Sequence, residues 1–351
     1  MIFFRFISSI YLKNFFIIFA SLVLFFVGID LILNYKNLPQ SANLSLFYVL
    51  FLIATGTNYV FSLSLVFAMI LSLINLIRSN ELVSFYALGL SKKRVILYPF
   101  LCAFVLCMGF VALNFTPFAY AENYRSNILK NATLINSSDD IFFKFNNNFI
   151  YIKHYDGFKK ELFNLRVFTL KDNQLELVSV IEKAFFYNNA WYVDEGFSLS
   201  LPLNLELNGR GLSENNLSKL AILQGIDTQF LDAISNESAH SIKDILKALK
   251  EFSLQNLATT TLRLELYKML FMPFFAPFLM LLLFVFFPTT ARFFNLAFIS
   301  FIFFLSTLLV YALLFLCAKF ASNLIISPEL GVLLPLFVLI TSSLLVFFKK
   351  T

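Results

Sequence analysis

The sequence predicts a polytopic α-helical membrane protein with six transmembrane helices and an inserted antiparallel β-jellyroll or sandwich domain. Of its 351 residues, 59% are hydrophobic and 14% are charged, and the mean hydropathy is +0.78. This apolar share is too high for a water-soluble domain. Six long apolar stretches set the number of spans. A long segment without continuous apolar runs of this length lies between the third and fourth spans and forms the inserted domain.

The six apolar stretches match the length that a bilayer requires. A hydrocarbon core about 30 Å thick needs about 20 apolar residues in a helix, and five stretches meet this directly. The sixth stretch, 46–77, would form a helix about 48 Å long, so we interpret it as one tilted span whose first turns project from the membrane. The predicted spans are 10–33, 46–77, 95–116, 269–287, 293–316 and 330–348.

The distribution of basic residues predicts the orientation of these spans. With the N-terminus in the cytoplasm, nine Lys and Arg residues lie at cytoplasmic ends, whereas the short outer loops contain only Lys36 and Lys319. This bias follows the positive-inside rule and places both termini in the cytoplasm and the large loop outside. The net charge of +6 therefore reflects membrane topology, and we expect no nucleic-acid partner.

The large loop, 117–262, shows the alternation of β-strands. Its sequence IFFKFNNNFIYIKHYDG has period two on either side of an Asn-rich turn, and Asn188 begins a second turn before Trp191. Several short strands with polar turns predict a sandwich or jelly roll with an apolar interior. Our candidates for lining that interior are Phe143, Phe145, Tyr151 and Trp191.

An amphipathic helix is predicted near the end of the loop. Ser241 can cap it, and its charged residues lie opposite an apolar stripe. The stripe is typical of a helix that packs against a sheet or a neighbouring subunit. It consists of Ile242, Ile245, Leu246, Leu249 and Phe252.

The sequence contains no recognisable catalytic or metal-binding motif. There is no P-loop, and the two histidines, His154 and His240, are not part of an HExxH motif. The three cysteines lie in apolar runs without CxxC spacing. We therefore predict a protein that is not an enzyme and has neither cofactor nor metal.

A short polar segment, SNELVSFYALGLSKKRV at 79–95, interrupts the second and third spans. Asn80 can cap a helix, Glu81 suits its first turn, and Gly89 can end it in the left-handed conformation. Ser91 can then cap the third span. The spacing is compatible with a short cytoplasmic helix, but by itself it favours an ordinary basic loop.

Five motifs in this order resemble the lipopolysaccharide-export permeases, the LptF/LptG family. The segment R-S-N-E-L-V-x-x-x-A-L-G-x-S-x-x-R is similar to the family's region between its second and third spans. The others are TPFAYAENYR, FNNNFIYIKHYDG, LRLELYKMLFMPF and SPELGVLLP. The NNFIYI strand and the AFFYNNAW hairpin resemble the LptG paralogue more closely.

The resemblance implies a transmembrane permease subunit of an ABC transporter in the bacterial inner membrane. Its implied partners are lipopolysaccharide, an LptF-like paralogue, an LptB-like ATPase dimer and an LptC/LptA-like jellyroll bridge. The ATPase would dock on the helix near 80–90, through Glu81, Leu82, Phe85 and Gly89. The implied domains are 1–116 with helices 1–3, 117–262 in the periplasm, and 263–351 with helices 4–6.

A cargo with several acyl chains requires two kinds of contact. Moving each CH₂ from lipid into water costs about 0.8 kcal/mol, so the path must be apolar throughout. Its anionic head group needs cations near the membrane surface. Candidate contacts are Asp30, Lys36, Arg263 and Lys268, although Glu265 could instead pair locally with Lys268. Lys36 stands alone where the family pattern has two basic residues.

The residues alone leave a second class of protein open. A membrane-anchored assembly or structural factor could use its outer β domain to bind a protein partner, with the spans as an anchor. The cytoplasmic helix favours a transporter, because an anchor does not need one. A channel is a weaker alternative, since no ring of charged residues is visible in the spans.

Overall fold

The computed structural model supports a description of most of the chain. The described residues are 2–131, 137–145, 148–157, 159–171, 174–188, 190–201, 212–218, 220–223, 226, 228, 231, 241–254, 259–290 and 295–350. The chain divides into two compact units. The helical unit comprises Met1–Leu38, Val49–Ala121 and Thr259–Thr351, and the β unit comprises Pro39–Tyr48 and Glu122–Ala258.

Within the described residues, six helices are long and apolar enough to cross a membrane, as the sequence predicts. The second is continuous over 37 residues, so the long stretch at 46–77 belongs to a single helix. Short 3₁₀ turns follow the first and third spans, at Tyr35–Asn37 and Pro117–Tyr120. The first five α-helices are α1 (Ile2–Asn34), α2 (Ala42–Arg78), α3 (Glu81–Ala87), α4 (Lys92–Leu113) and α5 (Ala121–Asn131).

The strands of the β unit form one antiparallel sheet with neighbours in sequence order. β1 to β6 follow one another as a meander, and β7 also pairs with β5. The sequence predicts a sandwich or jelly roll, whereas the described strands belong to one continuous sheet. They are β1 (Ser137–Phe145), β2 (Asn148–Asp156), β3 (Glu161–Lys171), β4 (Gln174–Tyr187), β5 (Ala190–Ser200), β6 (Ser213–Asn216) and β7 (Ala221–Ile222).

Local sequence explains two features of this unit. Tyr187 pairs with Ala190 across the β4–β5 turn, where Asn188 has a φ of 48°, a conformation that Asn tolerates in tight hairpins. The predicted amphipathic helix is α6 (Ile242–Leu254), and the Oγ of Ser241 accepts a hydrogen bond from the Asp244 N–H at 3.3 Å. Phe252 packs against the apolar core of the sheet, whereas Leu246 of the predicted stripe is 50% exposed.

The fourth span consists of α7 (Thr260–Phe271), a 3₁₀ turn and α8 (Phe275–Phe286). The turn, Met272–Phe274, contains Pro273, which lacks the N–H that an α-helix needs at this position. The fifth span is α9 (Leu296–Ser322). The sixth begins with a π-helical turn, Glu329–Leu333, and continues as α10 (Leu334–Lys350).

Gly331 lies where the sixth span approaches the fifth. A Cβ atom at this position would lie 2.5 Å from the Cβ of Ala321 and 3.0 Å from the carbonyl oxygen of Cys317. The absence of a side chain therefore permits the close approach. Small residues serve the same purpose in membrane helix packing generally.

The chain termini lie at the same end of the helical unit as α3. The rings of Phe3 and Phe6 contact the ring of Phe85 in α3. At the other terminus, the Nζ of Lys93 lies 5.8 Å from the ring centre of Phe348. Because Glu329 begins the span that ends near Phe348, it lies at the opposite end of the helical unit.

Candidate functional sites

The short helix α3 ends in the way that the sequence predicts. Gly89 has a φ of 85°, the Leu90 N–H donates to the Phe85 carbonyl at 3.0 Å, and the Gly89 N–H donates to the Tyr86 carbonyl at 3.0 Å. These two bonds define a Schellman motif, which satisfies carbonyls at the helix end. The Oγ of Ser91 accepts a bond from the Arg94 N–H at 3.4 Å and caps α4.

The predicted cap at the start of α3 is wrong. Asn80 has a φ of 59°, and its side chain makes no capping hydrogen bond. It instead occupies the left-handed conformation, which Asn adopts more readily than most residues. The residue therefore redirects the chain between α2 and α3, while Glu81 occupies the first turn.

The two faces of α3 have different environments. Leu82 and Phe85 are buried and belong to the hydrophobic cluster that includes residues of α1, α2 and α8. The exposed face contains Val83 and Leu88, of which Leu88 is 69% exposed, and Glu81 is half-buried at its start. Leu82 and Phe85 therefore attach α3 to this chain. Val83 and Leu88 are accessible apolar residues that the sequence analysis missed.

Aromatic rings surround the anchoring side chain. The ring of Phe85 makes T-shaped contacts with Phe3 at 5.7 Å and with Phe6 at 6.0 Å between ring centres. Phe4 contacts Tyr98 of α4 in the same way at 5.3 Å. We call Phe3, Phe4 and Phe6 the N-terminal clasp. It connects α3 and α4 to the first span.

A shallow cavity adjoins the buried side of α3. Burial raises the pKa of Tyr86 in this cavity to about 12, so its hydroxyl is neutral at physiological pH. Lys92 contributes a charged group to the lining. The full lining is Leu73, Leu82, Tyr86, Lys92, Phe284, Val285, Phe287, Pro288 and Thr289.

The predicted cargo-binding charges lie in separate environments. Lys36 is exposed in the turn after α1, and the Oδ1 of Asp30 accepts a hydrogen bond from Asn34 Nδ2 at 3.1 Å. Lys268 is close enough for its charge to interact with Glu265 and also with Lys319 of α9. Lys319 was not among the predicted site residues.

Arg263 has a partner that the sequence analysis did not predict. Its Nη1 donates to Oε1 of Glu329 at 2.9 Å, and the Tyr267 hydroxyl donates to the same oxygen at 3.4 Å. The contact joins two of the motifs that carry the family resemblance, LRLELYKMLFMPF and SPELGVLLP. An acid at the start of the sixth span was visible in the sequence, but nothing specified a partner 66 positions away.

Three of the four predicted interior residues belong to the core of the sheet. Phe145 and Trp191 are buried, and Phe143 packs against the same cluster. The indole N–H of Trp191 donates to the carbonyl oxygen of Ile226 at 2.9 Å, so its polar group is satisfied. Trp191 has no exposed surface in this structure.

The placement of Tyr151 in the interior is wrong. Its neighbours in β2, Ile150 and Ile152, are fully buried, so Tyr151 lies on the opposite face of the strand. Its hydroxyl donates to the carboxylate of Asp140. This bond is the main cause that raises the pKa of Tyr151.

The same opposite face contains an exposed aromatic surface. Phe142, which is 62% exposed, stacks on Phe149 with ring centres 6.0 Å apart, and Lys144 Nζ lies 5.4 Å from the Phe149 ring centre. Phe149 pairs with Phe168 across β2 and β3. Both faces of this part of the sheet are therefore apolar. Alternation alone could not distinguish the buried face from the exposed one.

A comparison with protein families identifies the chain. A family model described as the lipopolysaccharide export system permease LptF/LptG matches residues 5–349. A comparison with curated proteins found no match. The family model does not distinguish the two paralogues, so the assignment to LptG stays a prediction. With six apolar helices and an inserted β unit, this chain belongs to the LptF/LptG family, whose members are inner-membrane permease subunits of the ABC transporter that exports lipopolysaccharide.

Proposed function

We propose that this chain is a non-catalytic permease subunit that takes lipopolysaccharide from the outer leaflet of the inner membrane and passes it to a periplasmic β-jellyroll bridge. Residues 1–116 and 263–351 form the membrane part, with both termini cytoplasmic, and residues 117–262 form the periplasmic part. An LptF-like paralogue completes the transmembrane pathway. An LptB-like ATPase dimer provides the energy through α3.

The two-faced structure of α3 is the observation that carries this proposal. Leu82 and Phe85 are buried in the hydrophobic cluster of the spans, and burying such a side chain contributes about 1.5–3 kcal/mol. A displacement of α3 would therefore be transmitted to the spans. Its exposed residues, Val83 and Leu88, offer an apolar surface next to Glu81 to a partner in the cytoplasm.

The position of the chain termini supports the cytoplasmic location of α3. Both termini lie at the α3 end of the helical unit, through the contacts of Phe3 with Phe85 and of Lys93 with Phe348. The excess of basic residues at this end favours the cytoplasmic side. Cysteine labelling at Leu88 in sealed vesicles tests this orientation. Labelling from the periplasmic side would contradict it.

Two substitutions that change the charge of α3 test its role in coupling the ATPase to the spans. In a reconstituted complex, we expect Glu81→Arg and Leu88→Asp to reduce co-purification of the ATPase and lipid-dependent ATP hydrolysis. Glu176→Arg is a matched control, because Glu176 is a partly exposed acid in the β unit. Unchanged co-purification of the ATPase and unchanged lipid-dependent ATP hydrolysis in both α3 variants would refute the assignment.

For the cargo, we propose an apolar path with cations near the outer membrane surface. Lys36, Arg263 and Lys268, with Asp30 nearby on α1, would contact the head group. Arg263 is also in contact with Glu329, so a phosphate would compete with that carboxylate for the guanidinium. The acyl chains would contact Phe143, and would reach Phe145 and Trp191 only if the core of the sheet opens, since both residues are buried.

A pair of adjacent residues tests the acyl path. Phe142 and Phe143 are neighbours in β1 and point to opposite faces of the sheet. A photo-crosslinker at Phe143 should capture lipopolysaccharide during ATP-driven transport, and one at Phe142 serves as the control. Capture at Phe142 alone would place the path on the exposed aromatic face instead.

A further inference from the structure

The ion pair between Arg263 of the fourth span and Glu329 of the sixth span is only partly buried, which the proposed function does not explain. Arg263 and Glu329 are joined at 2.9 Å, yet their side chains are 41% and 40% exposed, so another anion could reach the arginine. Glu329 is the first residue of a π-helical turn. Such turns are rare and frequently occur at functional sites.

The hydrogen bonds of this pair are asymmetric. The Glu329 carboxylate also accepts a hydrogen bond from the Tyr267 hydroxyl at 3.4 Å. Arg263, by contrast, has Glu329 as its one side-chain acceptor among the described residues. Its Nε is buried without a hydrogen-bond partner there. The arginine therefore uses a single N–H group, where a bidentate contact would use two.

This asymmetry determines which group can leave. If Arg263 moves away, Glu329 keeps its hydrogen bond from the Tyr267 hydroxyl, so the carboxylate is not left without a partner. If Glu329 moved, Arg263 would lose its one described acceptor. Displacement of the arginine toward an incoming anion is the less costly change.

We propose that Glu329 is an internal counter-ion that occupies Arg263 until a lipid phosphate displaces it. This inference rests on the proposed function, because it requires Arg263 to bind a phosphate of the cargo. A phosphomonoester carries a charge of about −1.5 to −2 and presents oxygens that match the guanidinium fork, so it competes well against a carboxylate.

The internal competitor also sets a threshold of affinity that an anionic lipid must exceed to occupy Arg263. It lowers the apparent affinity for every anionic lipid by the fraction of Arg263 that is free. A phosphodiester carries one negative charge and binds Arg263 more weakly than a phosphomonoester does, so it competes less well against Glu329. The abundant phospholipids of the membrane would then not fill the site. Glu329 is thus a positioning residue that sets a threshold for binding.

The test measures lipid binding to the full permease–ATPase complex in detergent. The probe is dioctanoyl phosphatidic acid, and dioctanoylglycerol, which lacks the phosphate, is the control lipid. Glu329→Gln should tighten binding of the phosphatidic acid by about two- to fivefold, the range for an exposed ion pair, and leave dioctanoylglycerol unchanged. Arg263→Gln should weaken binding, and adding Glu329→Gln to it should restore nothing.

A matched control separates this effect from a general change in charge. Glu161→Gln breaks the Lys183–Glu161 pair, which has the same 2.9 Å separation, and should leave lipid binding unchanged. If Glu329→Gln weakens binding, does not alter it, or acts no more strongly than Glu161→Gln, the inference is wrong even when Arg263→Gln weakens binding. If Arg263→Gln has no effect, the proposed cargo contact at Arg263 fails as well.

Discussion

Replacing Phe85 with alanine should detach α3 from the spans while leaving its exposed face intact. Phe85 is buried and makes two T-shaped ring contacts, with Phe3 and Phe6. Removing a buried Phe side chain costs about 3–5 kcal/mol. We take the lower end, about 3 kcal/mol, because α3 has only seven residues and can adjust.

Hydrogen exchange of the backbone amides at the end of α3 measures this loss directly. The N–H groups of Leu88, Gly89 and Leu90 are all hydrogen bonded, so they exchange only when α3 opens locally. A loss of about 3 kcal/mol raises the open population by about 100-fold, since each 1.4 kcal/mol is a factor of ten. Exchange of these amides should accelerate by that factor.

Functional assays of Phe85→Ala should distinguish binding of the ATPase from coupling of ATP hydrolysis to lipid release. Because Val83 and Leu88 stay in place, the Phe85→Ala complex should still co-purify with its ATPase, but lipid release per ATP hydrolysed should fall. Val83→Ala is the matched control, since Val83 lies on the exposed face of the same helix and should change exchange little. Equal exchange rates in the two variants would refute the anchoring role of Phe85.

Three further substitutions test the packing. Gly331→Ala should destabilise the contact between the fifth and sixth spans by about 1–3 kcal/mol, because the new Cβ atom would overlap Ala321. A thermal unfolding temperature equal to that of the wild type would contradict this expectation. Asn14→Ala removes the buried 2.8 Å bond to Ser72 and should lower stability by about 0.6 kcal/mol in controlled unfolding with denaturing detergent. Trp191→Phe leaves its carbonyl acceptor unpaired and should lower the stability of the full chain by about 1–3 kcal/mol, measured by the same unfolding method.

The spans and hairpins were predictable because each depends on local sequence. An apolar run of sufficient length gives a span, and Asn188 gives a turn. The partner of Arg263 was not predictable, because it depends on packing between helices that are distant in sequence. Tyr151 was misplaced for a different reason: β2 has apolar residues on both faces, so alternation did not identify the buried one.

The faces of α3 were predictable in principle. Leu82 and Phe85 are three positions apart, which places them on the same side of a helix. The family resemblance implies that the whole segment is a docking site, and it does not distinguish the face that attaches α3 to its own chain. A helix that transmits force must be attached on one side and accessible on the other. Its most buried residues are therefore the poorest candidates for contact with a partner.

The two ends of the helical unit depend on different interactions, and salt distinguishes them. The α3 end is held by buried apolar contacts of Leu82, Phe85 and the N-terminal clasp, which ionic strength hardly affects. The opposite end has the half-exposed pair of Arg263 and Glu329, which added salt screens over a Debye length of about 8 Å at physiological ionic strength. Raising the salt concentration should therefore alter lipid binding well before it alters attachment of α3. Salt also screens Arg263 from a lipid phosphate, whose charge is larger than that of the Glu329 carboxylate, so ATPase activity that depends on lipid would decline while the helix stays in place.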